Sequence, residues 1–460
     1  LAGIVTATTF SGSGASLTNV PDSALSAVTA SKLTGALPAI SGASLTGMAS
    51  TENVRTGILD VAGISTFRNT MNVGAAVTIS ESGIEASGIG ITCANINGGA
   101  IGGRKNLIIN GDMRIAQRGT SFTSHPSYAV DRFRWGFSNH SAGTITVSQQ
   151  SLSSSDTPYT LGFRKYTRMA LGQAGTAAAN TAINLTYKAE AQDIATSGWN
   201  YTSTSSFITI SFWFRCSTNQ TFVGEFQSKD GTAQAFTFTF TASGNNAWTK
   251  ITKTIPGDSN IQIDNDNGAG LDFRWYPFYG TNYSTSGHTL EQWGAYSGSD
   301  IVPDMASTWL TAGASTFDVT GVQLEVGSQA TAFEHRNFGD ELLLCQRYFC
   351  TLTTRTDDNS ILGQGMYYGD TQIRCPVRSY VEMRSHPTVE TTNSTNHFTA
   401  YAKGSGVNFP TFDSSHQECP SGIVLGATIA DNDNNGAAAY VVATYDASTG
   451  LGVVSLNAEL

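Results

Sequence analysis

The middle of the chain alternates apolar and polar residues, which predicts β-strands. Segments such as QAFTFTFTAS, SSFITISFWFRCS and STFDVTGVQLEV place aromatic or β-branched residues at every second position, and Gly, Asn, Asp and Ser separate the segments. This period of two is typical of a strand with one buried face. QTFVGEFQ, AWTKITKTIP and LDFRWYPFYG follow the same pattern. Because no helical spacing separates these strands, we expect residues 103–336 to form an antiparallel β-sandwich.

After residue 336 the pattern becomes that of a helix. Asn337 followed by Asp340 resembles a capping box in which Asp replaces Glu. Apolar residues then recur at spacings of three, four and three: Leu342, Cys345, Phe349 and Leu352. This narrow seam predicts a linking helix over residues 337–354 of the kind that packs against other helices. In a lone chain it would pack on the sandwich, and in a trimer three copies could meet on the symmetry axis.

Residues 355–460 return to short alternating segments bounded by turn residues. These segments are MYYGD, TQIRCPVRSYVEM, PTVETTN, HFTAYAK, GIVLGATIA and AAAYVVATYDAS. They predict a second, smaller β domain at the C-terminal end of the chain.

Residues 1–102 differ in composition and contain repeats. Phe10 and Phe67 are the aromatic residues of this segment, and GASLT occurs at 14–18 and again at 42–46. Isoleucines recur every five residues in two series: Ile79, Ile84 and Ile89, then Ile91, Ile96 and Ile101. Small residues between apolar ones indicate an elongated β structure whose apolar stripe must be covered by neighbours. We favour a stalk of three intertwined chains over a single-chain solenoid, and residues 1–50 could instead be a disordered linker.

Composition and charge exclude several classes of protein. Charged residues are 13% of the chain and Gly takes 48 of 460 positions, as in a β-rich, turn-rich protein. The net charge of −10, without a run of Lys or Arg, argues against a nucleic-acid partner. No apolar run approaches the ~18 residues of a membrane helix, so no membrane insertion is expected. The six cysteines are scattered without a CxxC pair, and we expect free, buried thiols.

Aromatic residues in predicted loops are the best candidates for a binding site. Aromatic rings stack on the apolar faces of sugars, and long loops in compact β domains often bind ligands. The competing interpretation is that these rings pin the loops or fill a trimer interface. The candidate residues are Trp199, Tyr201, Trp293, Tyr296, Trp309, Tyr367 and Tyr368.

Catalysis and metal binding have weaker support. The densest acidic cluster is Glu325, Glu334, Asp340 and Glu341, where solubility of a strand end and helix capping are the simpler interpretations. No HExxH or GxSxG motif is present. The loop at 431–442 lacks the twelfth-position Glu of a calcium loop, and the DNDNGAGLD loop at 264–272 has Gly268 where a ligand should be. We expect both to be turns, with no metal, no cofactor and no enzymatic activity.

Several segments together resemble bacteriophage tail fibre and receptor-binding proteins. They are KNLIINGDMRIAQRGTSF, YAVDRFRW, YKAEAQDIA, SFWFR and GVQLEVGSQATAFEHRNFGDELLLCQRYF, and the resemblance covers residues 104–384. It implies an elongated homotrimeric fibre of the virion with a jelly-roll module similar to carbohydrate-binding domains. It also implies attachment to a polysaccharide on the host surface, and docking on a tail or other virion protein at the N-terminal end. A depolymerase fibre and a structural spacer or head fibre are the alternatives.

Overall fold

A computed structural model describes residues 105–125, 127–243, 246–353, 360–430, 435–446 and 450–460, three strands within 71–86, and residues 8, 9 and 11. The chain divides into two compact units, Leu1–Ile91 and Thr92–Leu460. In the first, strands β1 (Met71–Val73), β2 (Val77–Ser80) and β3 (Gly83–Ala86) pair antiparallel in that order. The rest of the predicted stalk of residues 1–102 lies outside the described residues, apart from residues 8, 9 and 11.

The second unit begins with strands that belong to a sandwich. They are β4 (Ser121–Phe122), β5 (Ser127–Val130), β6 (Phe133–Ser138), β7 (Ile145–Ser151), β8 (Lys165–Leu171), β9 (Ala182–Glu190), β10 (Phe207–Cys216), β11 (Asn219–Ser228), β12 (Gln234–Ser243), β13 (Thr249–Pro256), β14 (Ala269–Tyr279), β15 (Trp293–Ala295) and β16 (Thr316–Val326). The helices are α1 (Thr157–Thr160), α2 (Ala191–Ala195), α3 (Thr308–Thr311) and α4 (Phe338–Gln346).

These strands form two sheets. The six-stranded sheet has the order β13-β10-β16-β8-β7-β4, and the seven-stranded sheet has the order β15-β12-β11-β14-β9-β6-β5. The recorded pairings within both sheets are antiparallel. The predicted antiparallel β-sandwich is therefore confirmed, and the chain is mainly β.

Aromatic rings from both sheets fill the space between them. Phe212 of the six-stranded sheet lies 5.5 Å from Trp275 of the seven-stranded sheet, and Phe273 lies 4.1 Å from the same indole, between ring centroids. Trp275 has no exposed area. Buried aromatic side chains are the largest single contributors to a core, and contacts between their rings add to the stabilisation. The alternation in the sequence thus places one apolar face of each sheet in a shared core.

Helix α4 is shorter than the sequence predicts. Its capping is as expected, because Asn337 Oδ1 accepts a hydrogen bond of 2.8 Å from the Asp340 N–H. The helix ends at Gln346, however, and Phe349 begins strand β17 opposite Asn457. The predicted seam is therefore wrong in its second half, since Phe349 and Leu352 lie beyond the helix. Cys345 is buried in a small apolar cluster formed by α4, the segment before the sandwich and the C-terminal residue: Ile109, Ile115, Tyr348 and the partly buried Leu342, Leu344 and Leu460.

The segment that precedes the sandwich docks on its last strand. Asn106 Oδ1 accepts hydrogen bonds of 3.0 Å from the N–H groups of Leu324 and Ile108, and its Nδ2 donates to the Val322 carbonyl at 3.2 Å. Glu341 of α4 accepts from the Asn110 N–H. The two longest segments that resemble phage fibre proteins, 105–122 and 321–349, are thus brought into contact by buried hydrogen bonds.

Strands after α4 build a smaller β region. They are β17 (Phe349–Thr351), β18 (Ser360–Gly369), β19 (Gln372–Arg378), β20 (Thr388–Thr391), β21 (Phe398–Ala402), β22 (Ser405–Phe409), β23 (Ser414–Cys419), β24 (Gly422–Thr428), β25 (Ala438–Ala443), β26 (Tyr445–Asp446), β27 (Gly450–Leu451) and β28 (Val454–Asn457). Seven of them form a sheet in the order β22-β21-β25-β18-β19-β24-β23, and β17-β28-β20 form a second. Each predicted segment of residues 355–460 contains a strand.

The described cysteines are free, and four of them are buried: Cys216, Cys345, Cys350 and Cys375. Cys419 is exposed, which corrects the expectation of burial for that thiol, and Cys93 lies outside the described residues. No helix among the described residues is long and apolar enough to cross a membrane.

The docking of the preceding segment predicts a large effect of Asn106→Ala. The change removes three buried hydrogen bonds and leaves two backbone N–H groups and one carbonyl unsatisfied, which should destabilise the fold by about 2–4 kcal/mol. Denaturant unfolding monitored by tryptophan fluorescence measures the difference. Asn260→Ala is the matched control, because Asn260 is exposed and its side chain bonds the neighbouring Asp258. Equal stability of the two variants would contradict the prediction.

Candidate functional site

The central strand of the seven-stranded sheet has one apolar and one charged face. On β14, Phe273 and Trp275 face the core, whereas Asp272, Arg274 and Tyr276 alternate with them and face away from it. Successive residues of a strand point to opposite sides of the sheet. Asp272 and Tyr276 are nevertheless fully buried. Packing of the hydrophobic core does not explain these buried polar groups on the outer face of the sheet. This face is therefore the candidate functional site.

Strand register aligns polar residues across five strands of this outer face. Arg274 pairs with Glu225 of β11 and with Thr186 of β9, Arg134 of β6 pairs with Thr186, and Thr237 of β12 pairs with Glu225. A second row lies beside the first, because Asp272 pairs with Gln227 and with Lys188. We call the following residues the polar array: Arg134, Thr186, Lys188, Glu225, Gln227, Asp272 and Arg274.

Arg274 holds both carboxylates of the polar array. Its Nη1 lies 3.1 Å from Glu225 Oε1 and its Nη2 lies 2.7 Å from Asp272 Oδ2. The other oxygen of each carboxylate, Glu225 Oε2 and Asp272 Oδ1, is buried and accepts no hydrogen bond. Buried polar atoms without partners are rare because they are costly. These two oxygens are enclosed by the protein, so the members of the polar array that an approaching molecule can reach are the partly exposed Arg134, Lys188 and Arg274.

Glu225 titrates near neutral pH. Burial of the carboxyl raises its pKa to about 7, against the opposing charge of Arg274, and the charge of Asp272 adds to the increase. The Tyr276 hydroxyl lies beside the carboxyl without a hydrogen bond of good geometry. A change of about one pH unit around neutrality thus changes the charge of the polar array.

The long insertion between β14 and β16 covers one end of this face. Val223 and Tyr276 of the sheet pack against Ile301 and Val302 of the insertion in a separate apolar cluster. Strand β15 of the same insertion extends the sheet by pairing with β12. The insertion thus borders the polar array, and Arg134 and Lys188 remain partly exposed.

Of the predicted binding residues, Tyr296 lies nearest to the polar array. Its half-buried side chain approaches Arg274, and burial raises its pKa. Trp293 lies at the sheet edge, where its Nε1 donates to the Pro256 carbonyl at 2.7 Å and its ring lies 5.7 Å from that of Phe236. Trp293 is half-buried, so part of its ring is accessible.

Two other predicted residues of the sandwich are buried in its core. Trp309 has no exposed area and its Nε1 donates to the Thr316 carbonyl at 3.0 Å. Trp199 is 3% exposed and donates to the Ser206 carbonyl at 3.3 Å. Tyr201 packs half-buried beside Trp199, with ring centroids 6.2 Å apart. A ring without an accessible face cannot stack on a sugar, so the predicted binding role of Trp309 and Trp199 is corrected to a structural one.

The two predicted binding residues of the C-terminal region also differ in exposure. Tyr367 is fully buried in the core of that region, which corrects its predicted binding role. Tyr368 points away from the core, is 55% exposed, and has the Arg374 guanidinium 3.6 Å from its ring centroid. On the same outer face Tyr401 and Tyr440 stack with ring centroids 4.9 Å apart. Tyr368 therefore marks a second accessible aromatic surface.

The acidic residues singled out in the sequence have structural partners. Glu334 accepts from the Asn106 N–H at 2.7 Å, Glu325 accepts from the Thr331 N–H at 2.9 Å, and the Asp340 carboxylate accepts from Nδ2 of the N-cap residue Asn337 at 2.7 Å. Asp266 accepts from the Gly268 N–H at 2.8 Å, so residues 264–268 form the predicted turn, and residues 269–272 belong to β14. In the described part of the chain no three potential metal ligands cluster, and residues 431–434 of the other acidic loop lie outside it.

Sequence reasoning did not identify the polar array. In the segments LDFRWYPFY and TYKAE, charged residues alternate with apolar ones. This alternation predicts only an ordinary sheet face that is exposed to solvent. Burial of these charges and their alignment depend on strands far apart in the sequence.

The raised pKa of Glu225 predicts a specific dependence of stability on pH. The unfolded chain has an ordinary Glu pKa of 4.5, so the folded protein binds this proton more tightly. Its contribution to stability is complete below about pH 4.5 and is lost as pH rises through about 7, by an amount on the order of 3 kcal/mol. Thermal unfolding across this range should show a smaller loss of stability in Glu225→Gln than in the wild type.

Other buried carboxyls also titrate, so the informative quantity is the difference between the wild type and the variant. Glu418→Gln, at an exposed position, provides the control and should follow the wild-type curve. Parallel curves for the wild type and Glu225→Gln would contradict the assignment.

Comparison with known proteins finds similarity in part of the fold. The chain matches no family model and no curated protein. Among solved structures, it is similar to the enzymatically active domain of tailspike protein 4 of bacteriophage CBA120, with 11% identity, a TM-score of 0.25, and coverage of 48% of this chain and 21% of that one. The carbohydrate-binding module CBM4 has 11% identity, a TM-score of 0.24, and coverage of 47% and 97%. TmCBM61, solved with β-1,4-galactotriose, has 8% identity, a TM-score of 0.24, and coverage of 49% and 100%. This chain thus spans about a fifth of the length of the tailspike chain.

Proposed function

We propose that this protein is a bacteriophage tail fibre that binds a polysaccharide on the host surface through the polar array and does not cleave it. The polar array carries the proposal, because its partly exposed members, Arg134, Lys188 and Arg274, lie on three neighbouring strands, β6, β9 and β14. Strands are ~4.8 Å apart, so these side chains span ~10 Å. A row of hydrogen-bond donors of this length suits a polymer with many hydroxyl groups. The sequence resemblance supports the assignment to a phage fibre and to the virion.

The position of the two carboxylates supports binding rather than hydrolysis. A glycosidase needs two carboxyl groups on either side of the scissile bond. Glu225 and Asp272 are instead both fully buried and both held by Arg274. The observation that favours the alternative, a depolymerase, is the pKa of Glu225 at about 7, a value suited to a general acid.

A polysaccharide assay separates these functions. The purified protein should be retained on polysaccharide from host cells, and the molecular mass of the polymer should stay constant on incubation. A falling polymer mass that Glu225→Gln abolishes would indicate a depolymerase, and the absence of both retention and cleavage would indicate a structural spacer.

The position of the glycan site is tested by Tyr296→Ala and Tyr368→Ala. Tyr296 borders the polar array and Tyr368 lies on the C-terminal sheet, so the two variants probe separate surfaces. We expect Tyr296→Ala to reduce adsorption to host cells several-fold, because it removes a ring beside Arg274, and Tyr368→Ala to adsorb normally. Loss in Tyr368→Ala alone would place the receptor site on the C-terminal sheet.

The proposed fibre is a homotrimer that docks on a virion protein at its N-terminal end. Helix α4 supports contact between copies, because Phe338 and Leu343 are 58% and 49% exposed although both are large and apolar. Exposed apolar groups on a helix are frequent at interfaces between subunits.

The trimer predicts a mass of three chains in light scattering of the purified protein. Leu343→Asp should shift the mass toward the monomer, since the variant would place carboxylates in an apolar interface. Leu161→Asp is the matched control, because Leu161 is a 51% exposed apolar residue outside α4, at the end of α1. A monomeric wild type would overturn the trimer.

A further inference from the structure

We infer that the polar array selects an anionic glycan, and that Arg134, Lys188 and Arg274 bind its carboxylate or phosphate groups. This inference rests on the proposed function and adds the chemical class of the ligand. Four cationic side chains lie on this face, from Arg134, Lys188, Lys229 and Arg274, against the two carboxylates of Glu225 and Asp272. With Glu225 ionised, four positive charges against two negative charges leave a surplus of two, and protonation of Glu225, whose pKa is about 7, increases that surplus, in a protein whose net charge is −10.

The four cations are close enough to repel one another. Burial lowers the pKa of Lys188, the charges of Lys229, Arg274 and Arg134 lower it further, and Asp272 opposes them. Lys229 Nζ lies 3.8 Å from Asp272 Oδ2, so it shares that carboxylate with Arg274. Half-buried like charges in one patch favour an anion that neutralises them.

Two of these cations form no ion pair within the described part of the chain, namely Arg134 and Lys188. The next acid along β9 does not serve them, because both oxygens of Glu190 are held by Arg347 at 2.8 Å. Arg134 and Lys188 lie in adjacent rows on neighbouring strands β6 and β9, and both are partly exposed. The unpaired positive charge is thus concentrated on the side of the array that the insertion leaves open.

The geometry also explains why the site would distinguish an acidic sugar from a neutral one. An approaching anion gains charge-assisted hydrogen bonds from the partly exposed Arg134 and Lys188. A neutral sugar can accept hydrogen bonds from the same groups, but it leaves the surplus positive charge unpaired.

Affinity electrophoresis in polymer-containing gels tests the ligand class. The probes are polygalacturonate with its methyl ester and phosphomannan with mannan, so each pair changes the charge on one backbone. We expect the wild type to be slowed by one or both acidic polymers and not by their neutral partners. Retention should weaken between about 0.05 M and about 0.5 M salt, because salt screens exposed charges.

The double variant Arg134→Gln/Lys188→Gln should bind the acidic polymer about tenfold more weakly, the loss expected for two charge-assisted contacts at a half-exposed site. Lys165→Gln/Lys250→Gln removes the same charge from the six-stranded sheet and should bind like the wild type. Thermal unfolding shows whether each variant keeps its fold. If the double variant does not fold, the single variants Arg134→Gln and Lys188→Gln are measured instead.

The outcomes separate this inference from the proposed function. If the wild type adsorbs to host cells but neutral polymers retain it equally, or the array variant binds like the wild type, the anionic ligand is overturned and glycan binding stands. If no polymer retains the wild type and host cells do not adsorb it, both fail. Equal retention by single-stranded DNA would show that the array attracts any polyanion without selecting a glycan, and it would also overturn the inference.

Discussion

The register of β14 in the centre of the seven-stranded sheet is the constraint on which the sandwich depends. It directs Phe273 and Trp275 into the core and Asp272 and Arg274 to the outer face. A slip of one residue would exchange the two sets and bury two charges among aromatic rings, which costs far more than the pairing could recover. The same register places Arg274 opposite Glu225. Core packing and the polar array are therefore fixed by one alignment.

Burial of the array charges follows from this alignment. Glu225 and Asp272 are fully buried on a face that water would cover in an ordinary sandwich, and Arg274 stabilises both. A buried ion pair contributes little net stability, because desolvation offsets most of the attraction. Stability alone therefore does not explain why this buried pair lies on an outer sheet face.

A second network of buried polar groups joins the sandwich to the C-terminal region. Arg132 pairs with Glu459 and its guanidinium lies 3.4 Å from the ring centroid of Tyr348. Arg118 lies 3.5 Å from the ring centroid of Phe349, and Arg384 donates to the Ala458 carbonyl at 2.8 Å. Together with the docking of Asn106 these contacts fix α4 and the strands that follow it against the sandwich. The sandwich and the C-terminal region are thus held together by polar and cation–π contacts.

The sequence by itself determined the strands of the sandwich, its mainly β architecture, the cap at Asn337 and most of the buried thiols. Each depends on local pattern, either the period of two or the spacing of a capping pair. Tertiary structure decided the length of α4, because the pairing of Phe349 with Asn457 ends the helix from more than a hundred residues away. It also decided which aromatic candidates are accessible, since Trp309 and Tyr367 look in the sequence like Tyr296 and Tyr368. The polar array could not be predicted from local pattern for the same reason. Alternation shows that a strand has two faces, but the neighbours of Arg274 come from other strands. The register of those strands is set only when the whole sheet has formed.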